Sequence, residues 1–266
     1  MDYSLTSVLT AISLTLFAGL ATGFGSVIAL KVKRLNTKFL SLVLGFSAGV
    51  MIYVSFVELL YVARGELASI YSMKMADLLT AVGFFGGILI TALIDKIIPS
   101  DKNPHEYHEI DEETLNKNHL LRTGLVTALA LALHNFPEGF ATFASALTDT
   151  KLGISIAIAV AIHNIPEGIA VAVPIYYATG DKKKAFIYSF LSGLAEPLGA
   201  IIGFLFLRPF MNDTVFAIVF ASVAGMMVFV SLDELLPTAE KYGKHHYSIY
   251  GVVLGMAIMA LSLIII

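Results

Sequence analysis

The chain has 266 residues, of which 57% are hydrophobic and only 14% charged, with a formal net charge of −3; an ordinary soluble domain carries about 25% charged residues. That balance lacks the basic footprint of a nucleic-acid binder, and the absence of cysteine excludes both a disulfide framework and a thiolate metal site. Membrane helices do fit, since eight spans of about 20 residues would use roughly 160.

Eight apolar runs follow one another: Leu5–Leu30, Phe39–Val62, Leu78–Ile98, Thr123–Leu147, Leu152–Ala178, Ala185–Leu207, Val215–Pro237 and Tyr247–Ile266. Each is long enough to cross a bilayer, and none keeps the polar stripe of a helix in a soluble bundle. The first run has no basic flank ahead of it and no small-residue cleavage site, so it reads as a retained helix rather than a signal peptide. The expected fold is an all-α integral membrane protein, one transmembrane domain over residues 1–266 with the lipid bilayer as its main partner. With no Trp, the interfacial belts fall to 11 Tyr and 18 Phe.

The basic residues orient the chain. If the N-terminus is outside, only Arg64, Lys74, Lys151 and Arg208 lie on outer loops, and the other thirteen of the 17 Lys and Arg residues lie on inner ones. The positive-inside rule then places both termini outside. The one longer loop, Ser100–Leu121, carries His105, His108 and His119 among six carboxylates. It reads as a polar cytosolic linker, with weak capture of a divalent ion as the functional alternative.

Two repeats are visible. His134-Asn135-Phe136-Pro137-Glu138-Gly139 returns 29 residues later as His163-Asn164-Ile165-Pro166-Glu167-Gly168, with five of six positions identical. Gly49–Leu60 matches Gly225–Leu236 at an offset of 176, and Gly19-Leu20-Ala21 and Gly25 match Gly193-Leu194-Ala195 and Gly199 at an offset of 174. Spans one and two therefore resemble spans six and seven, which cross in the opposite sense. The result is an inverted repeat of helices 1–3 and 6–8 around a central helix 4/5 pair. Inverted repeats with a site near the midplane are a mark of transporters.

At 100° per residue, His134, Asn135 and Glu138 share one helix face. So do His163, Asn164 and Glu167 on the next helix, and Glu196 lies at similar depth on the sixth. Ionisable groups at mid-membrane mark ion or proton paths, and three adjacent carboxylates repel one another unless cations neutralise them. Imidazole suits zinc and iron, whereas carboxylate and amide oxygens suit harder ions. The mixed set points to divalent transition metals. Glu58 and Glu234 read as structural groups. Pro137 has no N–H for Leu133 O, nor Pro166 for Ile162 O, so each helix is expected to kink or loosen there.

The doubled His-Asn-x-Pro-Glu-Gly motif, followed by Glu196-Pro197 on the next helix, resembles the ZIP family of divalent metal transporters, and its bacterial members above all. The resemblance runs through all eight helices. It implies a transporter, not an enzyme, with no catalytic cofactor. Its cargo would be Zn²⁺ and Fe²⁺, with manganese, cobalt and cadmium also accepted, taken up across the bacterial cell membrane into the cytosol by a homodimer. It further implies a binuclear centre. His134, Glu138, His163 and Glu167 would hold one ion, and Asn135, Glu138, Asn164, Glu167 and Glu196 the other, with Glu138 and Glu167 bridging. Two rival readings are an intramembrane zinc hydrolase, for which the chain lacks His-Glu-x-x-His, and a metal sensor that does not transport.

Overall fold

The computed structural model describes residues 4–31, 37–97, 117–210, 212–242 and 245–265. Every element among them is helical: α1 (Leu5–Lys31), α2 (Thr37–Val54), α3 (Leu60–Ile70), α4 (Met73–Ile97), α5 (Lys117–Thr148), α6 (Thr150–Thr179), α7 (Lys182–Gly193), α8 (Ala195–Leu207), α9 (Asp213–Val230), α10 (Leu236–Tyr242) and α11 (His245–Ile265). A π-helical turn at Ser55–Leu59 joins α2 to α3, and another at Ser231–Leu235 joins α9 to α10. With α7 and α8 taken as one rod, these make the eight predicted spans. Seven rods are long and apolar enough to cross a membrane. The remaining one, α5, is 32 residues long but carries the polar motif at its middle, which lowers its mean hydropathy.

Several boundaries differ from the sequence reading. The second rod continues to Ile70, eight residues past the expected end: Ala63 and Leu67 are buried, while Arg64 and Ser69 on the exposed side interrupt the apolar run. The rod α4 starts at Met73 instead of Leu78. Most of the expected 100–121 loop, with His105 and His108, lies outside the described residues. Its last part, 117–121, is already the first turn of α5. The helices α5 and α6 run unbroken through Pro137 and Pro166; the interruption falls at Leu194, between α7 and α8. There Pro197 cannot donate to Gly193 O, and Leu194 N reaches Phe190 O at 3.0 Å.

Short caps set the connections. Asp149 alone separates α5 from α6, and its carboxylate accepts from Lys151 N (2.7 Å) and Leu152 N (3.0 Å), satisfying orphan donors of the first turn. At the other end of α6, Gly180 takes φ 68° as the C-cap, a left-handed position that favours glycine. Asp181 then caps α7 through Lys183 N and Lys184 N.

Internal symmetry governs the packing. The rod α6 touches α1, α2, α5 and α7; α2 pairs with α11, and α4 with α9. Glycines set each crossing. A Cβ on Gly25 would run into Ile165 O, and one on Gly199 into Phe136 O; Gly168 faces Thr22 O as Gly139 faces Glu196 O. Gly19 and Gly193 face each other's carbonyls, as expected of residues on a pseudo-two-fold axis. Spans three and eight are related as well, at an offset of 168: Gly83 and Gly87 of α4 meet Ile218 O and Ser222 O, as Gly251 and Gly255 of α11 meet Leu42 O and Phe46 O. Small residues at four-residue spacing let membrane helices approach this closely. The two π turns are also symmetric, Ser55 Oγ donating to Met51 O and Ser231 Oγ to Met227 O, both at 2.7 Å.

Candidate metal centre

The polar residues of α5, α6 and the start of α8 meet in the interior. His163, Asn164, Glu167, Asn135 and Glu196 are fully buried, Glu138 nearly so, and His134 is 6% exposed. In a chain of apolar helices this burial carries a large desolvation cost unless the groups have partners. The Glu138 carboxylate lies between the two imidazoles: Oε1 is 2.9 Å from His163 Nε2, and Oε2 is 3.5 Å from His134 Nε2. Neither contact is aligned as a hydrogen bond. Glu167 lies within electrostatic reach of His163 and Glu138, and Glu196 within reach of both other glutamates.

The asparagines show how the scaffold orients donors. Asn164 Nδ2 donates to Ala18 O at 2.9 Å and also to Glu196 Oε1. Asn135 Nδ2 donates to Ser192 O at 3.2 Å. Ala18 and Ser192 are equivalent at the 174 offset, so the two amides are held by the same contact in the two halves. With each NH2 turned to a helix backbone, each Oδ1 is left buried and without a hydrogen-bond donor, as are both Glu167 oxygens and Glu196 Oε2. Buried acceptors with no donors are rare in folded proteins. A set of them with two imidazoles has the composition of a cation site.

Thus Glu138 is brought between His134 and His163, and Asn164 beside Glu196, with Asn135 and Glu167 buried around them. Among the described residues, no three His, Asp or Glu side chains already surround one ion position. The Glu138–His163 contact draws these two side chains against each other.

The surroundings are unequal. Toward the N-terminal end of α5, a cavity of about 470 Å³ has a mostly apolar wall, including Ile90, Leu133, Phe136 and Leu198, with Asp95, His134 and Glu234 as its ionisable members. Toward the C-terminal end, a void of about 10 Å³ touches Glu138 and Thr142 under apolar side chains including Leu59 and Ile156. Glu234, read from the sequence as structural, therefore faces the cavity that borders His134, and it does so from a π turn. Its repeat mate Glu58 is half-buried on the other π turn. The sequence carried this as the Ser-x-x-Glu-Leu-Leu segment shared by both halves, but not the direction of either carboxylate.

Eight helical rods, seven of them long and apolar enough to cross a membrane, an inverted repeat and a buried N/O centre at the repeat interface define a multi-pass membrane protein built like a transporter. A model of the ZIP zinc transporter family matches residues 5–119 and 99–263. The zinc transporter ZupT of Streptococcus mutans is 60% identical over 256 residues, covering 96% of this chain and 97% of that protein. The ZupT proteins of Oceanobacillus iheyensis and Clostridium perfringens are 58% and 54% identical, over 97% and 98% of this chain and 98% of each relative. The chain belongs to the ZIP zinc transporter family.

Proposed function

We propose that the protein carries divalent transition-metal ions, zinc foremost, through the centre formed by α5, α6 and α8. The observation that carries this reading is the Glu138 carboxylate set between two imidazoles, among acceptors that no protein donor satisfies. Such a set replaces the hydration shell of an ion in the apolar interior. The two imidazoles favour zinc and iron, and the Asn and Glu oxygens admit manganese, cobalt and cadmium. Two ions would bring +4 against three carboxylates, His134, Glu138, His163 and Glu167 holding one, and Asn135, Glu138, Asn164, Glu167 and Glu196 the other. Both motif glutamates then bridge.

With the N-terminus outside, the wide cavity lies on the cytosolic side and the closed void on the outer side. The direction proposed is uptake across the cell membrane, with ions leaving past Asp95 and Glu234. The working unit is a homodimer.

The test is zinc uptake into proteoliposomes, with iron, manganese, cobalt and cadmium as competitors, run with and without a pH gradient. Saturable uptake that Glu138→Ala and Glu167→Ala both abolish supports the reading. Zinc binding without flux would replace it with a sensor. Light scattering in detergent reads the dimer.

A further inference from the structure

The two halves of the repeat differ at one position next to the centre. At the offset of 174, the counterpart of Glu196 is Thr22. The equivalence is geometric, since Gly139 packs on Glu196 O as Gly168 packs on Thr22 O. The operation that exchanges the halves also exchanges α5 and α6. It carries Glu196 beside Asn164 onto Thr22 beside Asn135. Two contacts agree with this placement: Asn135 Nδ2 reaches Ser192 O at 3.2 Å, and a Cβ on the adjoining Gly193 would lie 2.9 Å from Thr22 Oγ1.

The Thr22 hydroxyl is also free, for a definite reason. Helical threonines normally return the hydroxyl proton to the carbonyl four residues back. Thr15, Thr80, Thr91, Thr148 and Thr179 do so, at 2.7–3.2 Å, whereas Thr22 and Thr142 do not. For Thr22 that carbonyl is Ala18 O, which accepts from Asn164 Nδ2 instead. Thr22 Oγ1 is left fully buried with no partner, beside Gly193 and so one residue from Ser192, whose carbonyl accepts from Asn135.

We infer that Thr22 is a further residue of the metal centre and sets its specificity. Its hydroxyl gives a neutral oxygen to the ion held at Asn135, where the repeat leaves out the carboxylate that Glu196 supplies on the other side. One neutral oxygen helps a hard ion more than a borderline one. The missing fourth carboxylate also keeps the centre from holding its ions too tightly to let them go, as conduction requires. The inference rests on the transport reading above.

The experiment measures initial uptake rates for zinc and manganese in proteoliposomes holding wild type, Thr22→Val, Thr22→Ser or Thr22→Glu, with Glu167→Ala as the control. Valine has the shape of threonine without the hydroxyl. Thr22→Val is expected to raise the KM for manganese about fivefold, roughly 1 kcal/mol, and that for zinc less, with Vmax kept. Thr22→Ser should restore wild-type values. Thr22→Glu should lower KM and Vmax together for both metals. Wild-type KM values for both metals in Thr22→Val would overturn the inference, and so would a Thr22→Ser defect equal to that of Thr22→Val, which would mark Thr22 as packing alone. Uptake surviving in Glu167→Ala would instead sink the reading that ions pass through this centre, and zinc binding without flux in wild type would sink transport itself, which keeps the failures apart.

Discussion

The motif helices α5 and α6 carry nearly the same six residues, yet their surroundings differ. His163 of α6 is fully buried and 2.9 Å from Glu138, whereas His134 of α5 is 3.5 Å from the same carboxylate and borders the large cavity. Asn164 has both a backbone carbonyl and Glu196 as partners; Asn135 has a carbonyl alone. The neighbours differ: α6 packs against α1, α2, α5 and α7, and the α5 side borders the cavity of about 470 Å³. A duplicated motif thus supplies a symmetric set of donors, and the helices around it decide how tightly each donor is held and from which side it is reached.

The largest expected effect removes what the two helices share. Glu138→Ala and Glu167→Ala should each reduce zinc uptake to background while the protein still inserts, because each leaves buried cationic charge poorly compensated. Wild-type rates in either variant would break the binuclear arrangement.

The shared backbone contact comes next. Gly139→Leu and Gly168→Leu would each drive a side chain into a neighbouring backbone, Glu196 O or Thr22 O. Overpacking costs about 1–3 kcal/mol or more, so both variants should give little monodisperse protein on size-exclusion chromatography. Normal yield from either one would show that the crossing relaxes on that side.

The histidines then test the asymmetry. His163→Ala should weaken zinc transport about tenfold, roughly 1.4 kcal/mol, and His134→Ala should weaken it less. Both should harm zinc more than manganese, because imidazole prefers the softer ion. Equal KM changes for the two metals would count against imidazole as the zinc-selecting ligand.

A smaller difference is expected between Asn164→Asp and Asn135→Asp. The first removes the donor to Ala18 O and sets a new carboxylate against Glu196; the second loses only the contact to Ser192 O. Asn164→Asp should therefore raise the zinc KM more, by a few-fold, consistent with a hydrogen bond of about 1 kcal/mol. The reverse ranking would exchange the roles given to the two sides.

The smallest effect belongs to the histidines in and beside the long loop. Replacing His105, His108 and His119 with Ser should leave uptake present, with only a modest change in rate or metal preference. Loss as complete as in Glu167→Ala would make them an obligatory part of the ion path.

The sequence by itself determined the eight spans, the orientation-bearing charges, the doubled motif and the kinship of spans one and two with spans six and seven. These are one-dimensional signals: apolar length matched to bilayer thickness, and residue identity repeated at a fixed offset. The relation between spans three and eight was harder to see, because it survives mainly in Gly83, Gly87, Gly251 and Gly255, where only the smallness of the side chain is conserved between the halves. The two π turns were not legible, since an extra residue in a helical turn leaves the apolar pattern almost unchanged. Only the tertiary structure decided which backbone carbonyl each asparagine meets, that Glu234 lines the cavity beside His134, and that the Thr22 hydroxyl is left without a partner. Those outcomes depend on how closely two helices approach at their glycines, a property of pairs of rods packed in three dimensions that no single stretch of chain contains.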